Sequence, residues 1–166
     1  EAKKEDEPPK PEGRVVAISG EAGIGKSRLR WEIAKVATAL GFVEHEGRAA
    51  PFGGRPGGVV ADLLSQALGL AVAMAPDALR DRLARAAEQL GIGTTDRDHL
   101  GVLLGAWSAS AGLSPGTVRQ NNALAVRAWV RALSRAAPRL LVLEDLQWAD
   151  DEAQAAIAAV AEGIAG

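Results

Sequence analysis

Gly20-Glu21-Ala22-Gly23-Ile24-Gly25-Lys26-Ser27 fits the spacing G-x-x-x-x-G-K-[ST] at every fixed position, and it constrains the fold more than any other stretch of the chain. Glycines at these places let the main chain curl so that successive amides point inward, and a lysine and a hydroxyl follow at the end of the curl. The ligand that such a loop fits is a triphosphate: Lys26 reaches the β/γ-phosphates and Ser27 offers its hydroxyl to Mg²⁺. A helix that starts here adds the positive end of its dipole.

The flanks suit a phosphate loop rather than a simple tight turn. Arg14-Val15-Val16-Ala17-Ile18-Ser19 is a short apolar run of the kind that forms a strand buried on both faces. Downstream, Leu29, Ile33, Val36 and Leu40 recur at helical spacing and predict one apolar helix face packed on a core, with Gly41 as the stop.

With 166 residues, 48% of them hydrophobic, the chain has material for one α/β domain with a core. The net charge of −2 gives no electrostatic case for nucleic acid or an anionic membrane as partner. No apolar run is long enough to span a bilayer, and the charged N-terminus does not resemble a signal peptide. The absence of cysteine excludes a disulfide framework and a thiolate metal site. The expected compartment is the cytoplasm, where ATP is abundant.

Residues 1–13 hold eight charged residues and three prolines, which predicts a flexible lead-in, with the folded core over 14–166. Phe42 to Gly47 reads as a second strand, less apolar than the first and so nearer a sheet edge. Pro51 to Gly58, with four glycines and two prolines, reads as a loop. Helices are expected over Gly58 to Leu68, Pro76 to Leu90, Asp96 to Trp107 and Thr117 to Ala136. Pro76 suits a first helical position, Gly91 a stop, and Thr95 with Asp98 a variant capping box. In the last helix Val126, Val130, Leu133 and Ala137 share a face, while Arg127, Arg131 and Arg135 form a stripe read as solvated. His45 and His99 are too few and too far apart in sequence to suggest a zinc site.

Arg139-Leu140-Leu141-Val142-Leu143-Glu144-Asp145 is a second apolar run, and it ends in two acids. A buried parallel strand delivers the residues at its end to the carboxyl edge of the sheet, where a phosphate loop also lies. Carboxylates there orient Mg²⁺ and activate water, so the run reads as a Walker B motif. A further helix is expected to start near Asp150.

Gly20 to Leu29 together with Leu140 to Asp150, LLVLEDLQWAD, resembles the STAND-type, AAA-related signalling ATPases of large bacterial transcription regulators and multidomain adenylyl cyclases, and the ATPase module of origin-recognition proteins. The resemblance implies a P-loop NTPase fold of the ASCE type: three layers, α/β/α, a parallel sheet, and a helix-rich insertion between the second strand and the Walker B strand. It implies ATP and Mg²⁺ as cofactors, with Gly20 to Ser27 and Arg28 as the nucleotide-binding set. Lys26, Glu144 and Asp145 would be the catalytic residues, and Ser27, Glu144 and Asp145 the metal-holding ones. Glu144 stands where the class has its metal-orienting Asp and Asp145 where it has the water-activating acid; which of the two faces the metal stays open. Trp148 is read as packing rather than chemistry.

In this class a strand bearing a polar γ-phosphate sensor lies between the phosphate-loop strand and the Walker B strand. No segment after Asp145 is assigned to it, nor is an arginine finger, a sensor or a lid. The expectation is therefore an incomplete core, with a groove between the first and third strands, reduced stability or self-association, and partners among other domains of a larger polypeptide. Function is expected to be an ATP-dependent switch with slow hydrolysis. The alternatives are a P-loop phosphotransferase and a nucleotide-binding interaction module without turnover; a GTPase is disfavoured because neither D-x-x-G after the second strong strand nor N-K-x-D occurs.

Overall fold

The computed structural model describes residues 13–51, 55, 57–70 and 74–165. The expected lead-in up to residue 12 and half of the glycine-rich loop (52–54 and 56) lie outside the described residues. Two strands, β1 (Val43–Arg48) and β2 (Arg139–Glu144), pair in parallel, with Val43 opposite Arg139 and Arg48 opposite Glu144. Parallel neighbours need a long crossover, and the regular elements described in it are all helices: α2 (Gly58–Ala67), α3 (Pro76–Leu90), α4 (Thr94–Leu104) and α5 (Pro115–Ala136). Helix α1 (Lys26–Ala39) precedes β1, and a short 3₁₀ turn (Leu146–Trp148) joins β2 to α6 (Asp151–Ala165).

Alternation along β1 gives its two sides different tasks. His45 and Gly47 are buried on the side of α2, and Gly47 has no room for a side chain because the Val59 carbonyl lies where a Cβ would stand. Glu44 and Glu46 face the other way, toward α1, where Arg30 meets both. One layer of helix thus lies on each side of the strand, as a three-layer arrangement requires. The apolar core is on the α2 side. Leu64, Leu83, Leu100, Val126 and Trp129 form its centre, α6 adds Ala153 and Ala156, and Leu141 and Leu143 of β2 pack against it.

Local chemistry explains the helix limits. Pro76 occupies the first turn of α3, Asp77 sits at its positive end, and Gly91 ends it at φ 65°. Ser114 caps α5 by accepting from the Thr117 amide at 3.1 Å, so this helix begins two residues ahead of the Thr117 expected from the sequence. The stripe on α5 divides: Arg131 and Arg135 are exposed, whereas the Arg127 stem lies against Gly163 of α6.

Four expectations need correction. Arg14–Ser19 is not a strand buried on both faces: it runs unpaired and exposed, with Val16 75% accessible. A strand is defined by its ladder, and no described segment lies beside this one to complete it. Second, the stripe Leu29, Ile33, Val36 and Leu40 faces away from the core, and α1 buries only Ala34 and Ala37. Third, the capping box at Thr95 does not form, since α4 starts at Thr94 after Gly93 without a side-chain cap and Asp98 accepts from Arg97 instead. Finally, β2 is half-buried rather than fully enclosed, with Val142 its one buried residue.

Candidate functional site

Residues 20–25 form an exposed loop that bends through positive φ at Gly20 (153°), Gly23 (82°) and Gly25 (99°). Gly23 and Gly25 have open space where a Cβ would be, so it is backbone conformation and not crowding that calls for glycine there. Gly25 hands directly to α1, whose first amides have no side-chain cap. The half-buried Lys26 folds back over the loop and its Nζ donates to the carbonyls of Gly20 (2.9 Å) and Glu21 (2.8 Å). Its ammonium is thereby stored inside the curl that would hold a phosphate. Ala22, Ile24, Ser27 and Arg28 are exposed around it.

The two acids sit at the carboxyl end of β2. Glu144 ends the strand opposite Arg48, and the Ala49 amide donates to its carbonyl at 3.0 Å, extending the ladder by one rung. Asp145 then turns the chain at φ 58°, the one described non-glycine residue with positive φ. Asp tolerates this left-handed conformation better than most residues, and its placement puts two adjacent carboxylates on one corner. Arg48 donates to Glu144 and approaches Asp145 at 3.7 Å. The Arg48 side chain is 64% exposed, so this bridge is solvent-screened.

Arg30 connects the two halves of the site. It stands one helical turn beyond Lys26, so the two share a face of α1. Its guanidinium pairs with Glu44 at 3.0 Å and with Glu46, and its Nε lies 3.7 Å from Glu144. Neither Arg30 nor Arg48 was among the residues expected from the sequence. The signal for them was the strand itself: Glu44, Glu46 and Arg48 alternate onto one face, and a charged strand face against a helix needs counter-charges from that helix.

The remainder of the 140–150 motif is structural. Asp150 accepts from the Ala153 amide (2.9 Å) as the cap of α6 and from the Gly57 amide (2.9 Å) at the start of α2. Glu152, two residues on, accepts from buried Asn122 of α5 at 2.7 Å. Trp148 is half exposed in the 3₁₀ turn and, with Arg48, Arg55 and Asp150, lines a cleft of about 200 Å³. Away from the acids, buried His45 faces Arg139 across the sheet, Nε2 to Nη1 3.3 Å. Burial first, and the Arg139 charge second, hold its pKa below the usual imidazole value.

No helix among the described residues is long and apolar enough to cross a membrane. A family model described as "AAA ATPase domain" matches residues 6–164, nearly the whole chain. Neither a curated protein nor a solved structure matches.

Proposed function

The chain belongs to the AAA ATPase domain family, and from that premise we propose that it is the ATP-binding, slowly hydrolysing switch module of a larger signalling or transcription-regulatory protein. The observation that carries the reading is the phosphate loop with Lys26 folded into it, tied through α1 to a corner bearing two carboxylates. A triphosphate competes for the ammonium that Gly20 and Glu21 now hold, and offers it a stronger, charge-assisted partner. Amides of the loop and of the first turn of α1 meet the remaining phosphate charge.

The donor set here fits Mg²⁺. Ser27 and the carboxylates of Glu144 and Asp145 are hard oxygen donors, and these residues would hold the ion, largely through water. When bound, Mg²⁺ supplies neutralisation of phosphate charge. The chain's own residues then orient the nucleotide and, at one of the two carboxylates, accept the proton of the attacking water. Transition-state charge calls for a further cation, so turnover by this module is slow and rises when a partner contributes one. The signalling context is supported by the resemblance of Leu140 to Asp150 to that lineage. Other domains of the same polypeptide, and a second copy, are the partners we propose, the latter in view of the apolar surface exposed between Val15 and Val43.

Titration with a fluorescent ATP analogue tests the site. Lys26→Ala is expected to weaken binding at least about tenfold, the range for losing a charged hydrogen-bond donor. Binding equal to the parent's would show that the loop is not the site. Product analysis after prolonged incubation with MgATP separates free phosphate, expected here, from a phosphorylated acceptor.

A further inference from the structure

We propose that Arg30 is a positioning residue that transmits the state of the phosphate loop to Glu144, a role that rests on the nucleotide-site reading above. The geometry points to it in three ways. Arg30 shares its helix face with Lys26, so whatever the loop does to the first turn of α1 moves both. Next, α1 is lightly anchored: it buries only Ala34 and Ala37, its apolar stripe is exposed, and the pairing of Arg30 Nη2 with Glu44 and Glu46 is a polar tie that binds it to β1. Last, the Arg30 Nε is buried without a hydrogen bond, and the oxygen before it is Glu144 Oε1 at 3.7 Å. An N–H···O bond forms near about 2.9 Å, so a displacement of roughly an ångström makes or breaks this contact.

The side chain is suited to the task. Its guanidinium is planar and presents its donors in fixed directions: Glu44 and Glu46 both hold Nη2 from the strand side while Nε faces Glu144. At 24% accessibility it is screened less than a surface pair. When a nucleotide draws Lys26 out of the loop, the turn that carries Arg30 resettles, and with it the orientation of a carboxylate needed for the metal. Nucleotide binding and metal binding are then coupled through one residue.

The coupling is read as the ratio of ATP-analogue affinity with Mg²⁺ to that in EDTA. In Arg30→Gln, binding in EDTA stays within about twofold of the parent, while the Mg²⁺ enhancement falls by about tenfold, a typical coupling magnitude. Arg30→Lys, which keeps the charge but not the fixed donor directions, recovers part of the enhancement. Glu46→Gln, which loosens the hold on Nη2 without touching the proposed metal ligands, shifts the ratio in the same direction by less. Equal weakening in both conditions, an unchanged ratio, or a parent without Mg²⁺ enhancement overturns the proposal. Lys26→Ala, by contrast, loses binding in both conditions; if it does not, the site reading itself fails. Hydrogen exchange gives a readout that needs no nucleotide: α1 amides exchange about tenfold faster in Arg30→Gln, with 139–144 unaffected. Unchanged protection of α1 also overturns it, and Arg30→Lys serves for both measurements if Arg30→Gln does not fold.

Discussion

The two ends of the proposed nucleotide site are held in opposite ways. Glu144 and Asp145 stand at the end of a strand whose apolar side chains pack on a core built from α2 to α6, and Asp150 fastens the turn after them to both α2 and α6. The phosphate loop sits between an unpaired extended segment and a helix whose large hydrophobic residues face solvent. The carboxylate corner is thus anchored to the core, whereas the loop is held by the Lys26 hydrogen bonds and, through α1, by the Arg30 ion pairs. Burial is additive and insensitive to ligands; charge pairs are few, directional and open to competition. The difference teaches that the acid end is the more firmly anchored and, on the proposed reading, serves as the reference frame for the phosphate end.

The contrast is sharpest at leucines. Leu64 is fully buried at the centre of the core, and Leu64→Ala is expected to cost about 2–5 kcal/mol, read as a lower denaturant midpoint. Of intermediate size is the effect of acid. The His45 pKa is lowered in the fold, so between the ordinary value of 6.5 and the lowered one the unfolded chain binds more protons than the native chain. Stability is therefore complete above about pH 6.5 and falls as the pH drops below it. The loss in thermal midpoint between pH 7.5 and 5.5 should shrink in His45→Gln (about one pH unit either side of the free imidazole value). A slope as steep as the parent's would place the acid sensitivity elsewhere. Smallest is Leu40→Ser, on a residue 70% exposed, which should stay within about 0.5 kcal/mol of the parent. A loss comparable to that of Leu64→Ala would show that the α1 stripe is covered in solution, and concentration-dependent sedimentation would then identify a second copy as the cover.

What is legible in the sequence follows the same division. Helices α2 and α3 were legible almost to the residue, because Pro76, Gly91 and the periodic leucines are local signals that agree with tertiary packing. Both observed strands were legible as well, with Phe42 to Gly47 displaced by one residue from β1. What misled was the apolar face of α1: periodicity shows that a helix has an apolar side, not what lies against it. The same limit applied to Arg14–Ser19, whose composition suits a strand but whose ladder depends on a neighbour. At the site, the loop glycines, Lys26, Glu144 and Asp145 stood out by spacing. Arg30 and Arg48 did not: their partners are 16 and 96 residues distant, and the alternation of Glu44, Glu46 and Arg48 marks a charged strand face without saying which residue meets it.

The left-handed backbone at Asp145 has a consequence for how this domain could decay. The residues that tolerate such a corner best are glycine, asparagine and aspartate, so replacement by the first two removes the carboxylate while leaving the turn content. If Asp145 is the working carboxylate of the proposed site, drift at this position silences it without a folding penalty to purge it. A survey of variants by melting temperature would pass the silenced forms as sound; only an assay that follows phosphate release would tell them apart.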